Sequence, residues 1–170
     1  GVAVGAALTT DDTSSYTASA ATGSSRAGSA IAIAAAINRV ASQTGVTATA
    51  SANTIRGQSF TAGTAQGTLT LNGSTIYVNT TTRNGVIDSI NAYSGLTGVV
   101  ASTFGEGIQL VAADGRNITF KGDGATTAAN FGLDGVAAAG ATTLKTFYST
   151  VTLNSSNKFT IQAGKTGVTN

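Results

Sequence analysis

Apolar residues along this chain follow two spacings, and the spacing switches near glycines. Between Ala27 and Ser42, Ile33, Ile37 and Val40 fall at i, i+4 and i+7, which predicts a helix with those three facing a core. Ala34, Ala35 and Ala36 favour helix and permit close packing. Ser24 or Ser25 supplies a hydroxyl cap for the first turn, and Gly45 a left-handed stop. After Gly45 the period becomes two. Val46, Ala48, Ala50 and Ala52 alternate with Thr and Ser, as in a half-buried strand.

Further along, Thr68 to Val78 reads TLTLNGSTIYV. Two β-type runs flank Asn72-Gly73, the strongest short hairpin signal, with Leu69, Leu71, Ile76 and Val78 on the inner face. Asn84 is placed to cap a second helix reaching Tyr93, with Val86, Ile90 and Tyr93 on one face and Gly95 or Gly98 ending it. A strand from Val99 to Phe104 turns at Gly105-Glu106-Gly107 and returns from Ile108 to Ala112. Asp114-Gly115 turns again into Asn117 to Lys121. A closing hairpin joins Thr150–Leu153 to Lys158–Ile161. Weaker signals suggest a short strand over Val2, Val4 and Leu8, a loop from Thr9 to Ser25 and a strand near Phe60. Gly122 to Gly140 reads as loose chain plugged by Phe131 and Leu133.

One pattern occurs twice. INRVASQTGVTAT from Ile37 and INAYSGLTGVVAS from Ile90 share Ile, Asn, Thr, Gly, Val and Ala in register. Each reads as a helix end, a glycine stop and the start of a strand, with Ile37 and Ile90 buried. Asn38 and Asn91 are placed to satisfy stray backbone groups in the loop that follows. Such agreement exceeds what a shared turn requires and points to an old duplication, although two copies are too few for a solenoid.

These elements predict an α+β domain of antiparallel β-sheets and hairpins with two short helices packed on them. The chain reads as one domain over 1–170, or as a helix–strand lobe over 1–67 and a hairpin lobe over 68–170. Composition narrows the functional classes. Only 9% of the 170 residues are charged, against about 25% in ordinary domains, while 41% are apolar. That balance argues against disorder. The nine cations are scattered, with no two adjacent, so no nucleic-acid footprint forms. There is no Cys, His, Met, Trp or Pro, which removes disulfides and any Ser-His or Cys-His nucleophile from these residues. The longest apolar run, Ala30 to Ile37, is too short to span a bilayer. The absence of Met suggests a piece excised from a longer protein.

The seven carboxylates are Asp11, Asp12, Asp88, Glu106, Asp114, Asp123 and Asp134. Most stand beside glycine in predicted turns, where turn chemistry accounts for them better than acid–base catalysis. Asp11-Asp12, with Thr and Ser hydroxyls nearby, offers cation ligands, but a solvated loop is the stronger reading. KGDGATT, from Lys121 to Thr127, lacks the Gly-Lys-Ser/Thr end of a phosphate loop. No catalytic, cofactor-binding or metal-binding residue is assigned and no cofactor is expected.

Three runs, in order, carry a family resemblance. TLTLNGSTIYV, VIDSINAYSGLTGVVAS and IQLVAADGRNITF together resemble the IN motif of bacterial flagellins and hook-associated proteins. The matching positions are Asn72-Gly73, Ile90-Asn91, Gly98-Val99-Val100-Ala101 and Asp114-Gly115-Arg116-Asn117-Ile118. SAIAIAAAINRVASQTGVTATA resembles the segment by which flagellins enter their variable outer region, and YSTVTLNSSNKFTIQAG the strand pair by which they leave it. The long helices that polymerise flagellins are absent from this sequence. The resemblance therefore implies the outer domain alone: extracellular, structural, non-catalytic and antigenic, with O-glycosylation expected over Thr9–Ser25, Thr80–Thr82 and Thr142–Thr150. Its partners would be neighbouring flagellin subunits, reached through the missing helices, and antibodies or host surfaces. Nucleic acid and membrane are not expected partners, and the isolated piece would be a monomer. Such an insertion would bring Gly1 close to Asn170. The alternatives are the outer domain of a hook-associated or cap protein, and a carbohydrate-binding adhesin or phage-fibre domain.

Overall fold

The residues shared by the two similar stretches each acquire a structural task. The computed structural model describes residues 1–18, 24–62, 65–123, 128–136 and 144–162. Helix α1 spans Ala30–Asn38 and begins at Ser29, whose hydroxyl accepts from the Ala32 amide at 3.1 Å. A single turn, α2 (Ala41–Thr44), ends at Gly45 with φ +66°, and strand β1 is Val46–Ala50. Then come β2 (Asn53–Arg56), β3 (Ala65–Leu71) and β4 (Ser74–Thr80). The second copy opens with α3 (Arg83–Asn91), capped by Thr82, whose hydroxyl accepts from the Gly85 amide at 3.2 Å. The turn α4 (Ser94–Thr97) ends at Gly98 with φ +69°, and β5 is Val100–Phe104. The remaining elements are β6 (Gly107–Ala112), β7 (Ile118–Gly122), a 3₁₀ turn at Ala128–Phe131, β8 (Lys145–Phe147) and β9 (Val151–Ser155).

In each copy one asparagine reaches from the helix to the strand ten residues on. Asn38 Nδ2 donates to the Ala48 carbonyl and its Oδ1 accepts from the Ala48 amide, both at 2.8 Å. Asn91 does the same to Ala101, at 3.0 and 2.7 Å. The shared threonine seals the turn. Thr44 donates to the Val40 carbonyl and accepts from the Val46 amide; Thr97 repeats this with Tyr93 and Val99. The sequence places both asparagines against a loop, whereas both grip a strand.

The fold is α+β and mostly antiparallel sheet. Strands pair as β1-β9, as β2-β6-β5 and as β4-β3-β7-β8. The main core joins the three- and four-stranded sheets to α3. It includes Leu69, Leu71, Ile76, Val78, Val86, Ile90, Val99, Ile108, Leu110, Ile118, Phe120, Phe131 and Leu133. No residue of α1, β1 or β9 belongs to that cluster.

Several expectations are corrected. Helix α1 starts at Ala30 and is capped by Ser29, not by Ser24 or Ser25, and α3 is capped by Thr82, not Asn84. The face of α1 carrying Ile33, Ile37 and Val40 is not its buried one: Ala30, Ala32, Ala34 and Ala36 are buried, Ile37 and Val40 are half-buried, and Ile33 is exposed. This helix is apolar all round, so periodicity could not choose a face, and the methyl side chains allow the closest approach. Tyr93 likewise stays at the surface. Strand β7 does not return along β6. Both edges of β6 are occupied, by β2 and β5, so β7 joins β3 and β8 in the other sheet. The last hairpin does not form: β9 pairs with β1, and Lys158–Ile161 is exposed and outside any strand. No strand occurs at Val2–Leu8 or at Phe60. The loop expected from Thr9 to Ser25 contains a 3₁₀ turn at Thr9–Asp11 and buries Asp12, Ser15 and Ser24. The Asn72-Gly73 hairpin forms as read, with Leu69, Leu71, Ile76 and Val78 fully buried.

Three glycines let backbones cross where β2 and β6 meet the 128–136 segment. A Cβ on Gly57 would lie 2.0 Å from the Gly132 carbonyl oxygen, and one on Gly107 would lie 2.4 Å from the Gly57 oxygen. The gap is held by Gly57 N–H to the Ile108 carbonyl and Ile108 N–H to the Gly132 carbonyl, each at 2.9 Å.

Two substitutions test these devices by urea denaturation. Asn91→Ala, which strands the Ala101 main-chain groups, is expected to cost about 2–4 kcal/mol. Asn38→Ala, at an exposed helix end, is expected to cost about 1 kcal/mol. Gly107→Ala is expected to lose more than about 3 kcal/mol, or to prevent folding, because the clash is with main chain that cannot yield.

Candidate functional site

The face of α1 that the helix leaves uncovered forms the floor of a groove. Ile33, Ile37 and Val40 line it with Val46 of β1 and Leu153 of β9. Its walls are the two outermost described segments of the chain, Gly1–Val4 and Phe159–Gln162. The groove holds about 870 Å³, and none of its lining residues has a charged side chain. Val2, Val4, Ile33, Phe159 and Ile161 are exposed, with Ile161 at 75%. Apolar side chains in one exposed patch mark a contact surface. Nothing in the spacing of the apolar residues reveals this groove. Its one legible signal was an apolar run covering every face of α1 rather than one stripe.

A polar strap holds the preceding segment along α1. Asp11 faces Arg39 at 2.8 Å, and Arg39 Nη2 also donates to the Ala6 carbonyl. The Arg39 guanidinium and the Leu8 amide hold the Asp11 carboxyl below its ordinary value. Asp12 is fully buried near the start of α1, its Oδ1 accepting from the Ser14 and Ser15 amides at 2.8 and 2.9 Å. Burial works against its charge. The hydroxyls of Ser15 and of the α1 cap Ser29, with those two amides, outweigh burial and keep the carboxyl below its ordinary value. Ser15 Oγ in turn accepts from the Asn117 amide at 2.9 Å, and Asn117 Nδ2 donates to the Ser25 carbonyl. Asp12 is thus the anchor of a strap, where the sequence reading favoured a solvated loop.

The other carboxylates lie apart. Asp114 closes its own turn onto Arg116 at 2.7 Å. Burial opposes its charge too, and the Arg116 side chain and amide reverse the effect, so this carboxyl also sits low. Asp123 Oδ2 accepts from the Thr68 amide and Asp134 Oδ2 from the Ser59 hydroxyl. Asp88 and Glu106 are exposed. No three His, Cys, Asp or Glu side chains gather into a metal-binding group among the described residues. Lys121 and Gly122 end β7, Asp123 follows it, and the rest of the KGDGATT run lies outside the described residues.

The hydroxyl-rich segments divide by exposure. Thr9, Thr10, Thr13 and Thr17 are exposed, while Ser15 and Ser24 are buried; residues 19–23 lie outside the described set. Thr81 and Thr82 are exposed, although Thr82 is committed as the α3 cap. Of the 142–150 segment, Thr150 is exposed, Thr146 and Ser149 are half-buried, and Thr142 and Thr143 lie outside the described residues. Among the described residues no helix is long and apolar enough to cross a membrane. The chain matches no protein-family model, and no curated protein matches it.

Acid should release the strap. A carboxyl held below its ordinary value of 3.8 stabilises the fold above that pH and loses its contribution as pH falls through the lower folded-state value. Thermal melts from pH 7 to pH 2 are expected to be flat above about pH 5 and to fall below about pH 4. Asp12→Asn is expected to lower the melting temperature at pH 7, with the gap to wild type narrowing as pH falls.

Proposed function

We propose that this chain is the solvent-exposed outer domain of a bacterial flagellar filament protein of the flagellin type, and that its role is structural rather than catalytic. The observation that carries the reading is the shared groove. Gly1–Val4 and Phe159–Gln162 form its two walls, so the described chain leaves and returns on one side of the domain. A domain carried between two polymer-forming segments needs that arrangement. Asn170 itself lies outside the described residues.

The motif residues support the same reading by what they do. Asn72-Gly73 makes the β3–β4 turn, with both residues at positive φ. Ile90 is buried while Asn91 clamps Ala101. Asp114-Gly115-Arg116 turns the chain into β7, and Asn117 ties that turn to the Asp12 strap. The resemblance therefore rests on positions that build the fold, as family motifs in a non-catalytic module would. The exposed Thr hydroxyls suit a surface that meets solvent, antibodies and attached sugars at low charge.

The test is immunogold electron microscopy of the bacterium that carries the gene, with antibodies raised against the folded chain. Labelling along the whole filament is expected. Labelling confined to the hook–filament junction or the tip would transfer the domain to a hook-associated or cap protein. Intact flagella without label would overturn the reading.

A further inference from the structure

The second copy of the helix–strand unit shows what the first one lacks. In register, Ile33, Ile37 and Val46 correspond to Val86, Ile90 and Val99. Those last three are fully buried, because α3 packs on β4 as well as on β5 and β4 lays Ile76 and Val78 into the same core. Helix α1 packs on β1, β9 and the 3₁₀ turn at Thr9–Asp11. Among the described residues no strand corresponding to β4 covers its apolar face, and Ile33 stays 40% exposed. The groove lies on the face that β4 covers in the second copy.

Its walls add a second observation. Val2 and Val4 from one segment, and Phe159 and Ile161 from the other, are the large apolar residues of the walls, each pair spaced two apart in the sequence. The main chain of Gly1–Val4 and of Phe159–Gln162 makes no hydrogen bond to other main chain among the described residues. Both walls therefore offer main-chain groups without a main-chain partner beside an uncharged apolar floor, the requirements for adding a strand.

We infer that this groove seats an extended strand of another polypeptide, with apolar and uncharged polar residues in alternation as in β4. Its apolar side chains cover Ile33 and Ile37, and its main chain pairs with the unpartnered main chain of Val2–Val4 or Phe159–Ile161. A second copy of this chain does not fit the role, because the strand of the right pattern, β4, is already buried against its own α3. A lipid or other apolar small molecule would leave the main-chain donors and acceptors of both walls unmet. The inference stands whether or not the domain belongs to a filament.

The test uses the strand that seals the second copy as its probe. A synthetic peptide of the sequence Asn72 to Thr81, NGSTIYVNTT, is titrated into the full isotopically labelled chain and followed by NMR. Saturable binding with Kd tighter than about 1 mM is expected, with shifts concentrated at Ile33, Val40 and Phe159. Ile161→Asp and Ile33→Asp are each expected to weaken binding at least about tenfold, while Leu96→Asp, exposed on the second copy, leaves it unchanged. The peptide carrying Ile76→Ser and Val78→Ser is expected not to bind. Because Ile161 is outside every strand and helix, its variant should keep the wild-type amide spectrum away from the groove. Absence of saturation by about 2 mM peptide, shifts elsewhere, or equal binding of the serine peptide would overturn the inference. So would groove resonances that move with protein concentration alone, which would assign the face to a second copy.

Discussion

An asparagine side chain carries one donor group and one acceptor, as a peptide unit does, and this fold uses that likeness repeatedly. Asn38 and Asn91 each occupy both the N–H and the C=O of a strand residue, standing where a neighbouring strand would otherwise pair. Asn72 takes the Thr119 amide and hydroxyl on Oδ1 and gives Nδ2 to the Thr97 carbonyl, so one side chain ties the β3–β4 turn to β7 and to the end of α4. Asn53 donates to the carbonyls of Arg116 and Phe147 and joins β2 to the neighbouring sheet. A neutral hydrogen bond contributes only about 1 kcal/mol net, but a main-chain group left unmet in the interior costs about 1–3 kcal/mol. In a chain with no cysteine and two ion pairs between its described residues, these amides do the cross-linking.

The same clamp serves two quite different surroundings. In the second copy, Val86, Ile90 and Val99 enter a core shared with two sheets. In the first, the buried positions of α1 are alanines, and each gives far less transfer free energy than a buried Leu or Ile, which contributes about 1.5–3 kcal/mol. Hydrogen bonds take up the difference: the Ser29 cap, the Asp12 carboxylate beside it, and the Arg39 pair with Asp11. Held mainly by polar contacts and two paired strands, the α1–β1–β9 unit should open locally before the main core does. An edge that opens first, and carries an uncovered apolar face, is suited to receiving a further strand.

Much of this was legible where local chemistry decides. Asn72-Gly73 marked a hairpin and its inner face because Asn and Gly readily take the two positive φ values of a tight turn that matches the strands' twist. Gly45 marked one helical stop and Gly98, rather than its alternative Gly95 inside α4, the other, while the repeat pointed to a shared task for Asn38 and Asn91. What escaped was long-range pairing. Nothing near Asn117 reveals that both edges of β6 are taken, and nothing near Leu153 reveals that β1 lies open. The buried face of α1 escaped for another reason: with apolar residues on every side, the pattern carries no direction, and neighbours that come from Asp12 and β9 make the choice. Carboxylate roles were read correctly as turn chemistry at Asp114, but Asp12 needed Ser29 and Asn117, which are remote in sequence, before its burial made sense.

A folded domain must avoid sticking to its own copies, and open sheet edges are the usual hazard. Many proteins protect such edges with charge, which is scarce here. This one uses geometry and hydroxyls. Strand β8 is three residues long, and the tip of β5 is occupied by Arg83, which donates to the Gly105 carbonyl at 2.6 Å. Outward positions of β1, β4 and β9 carry Thr47, Thr49, Thr75 and Thr152, whose hydroxyls keep the faces wet without adding charge. Against that background the groove is an exception: apolar, uncharged and flanked by unpaired main chain. The groove is where an added strand would meet apolar cover and main chain that no other described main chain pairs, both at once.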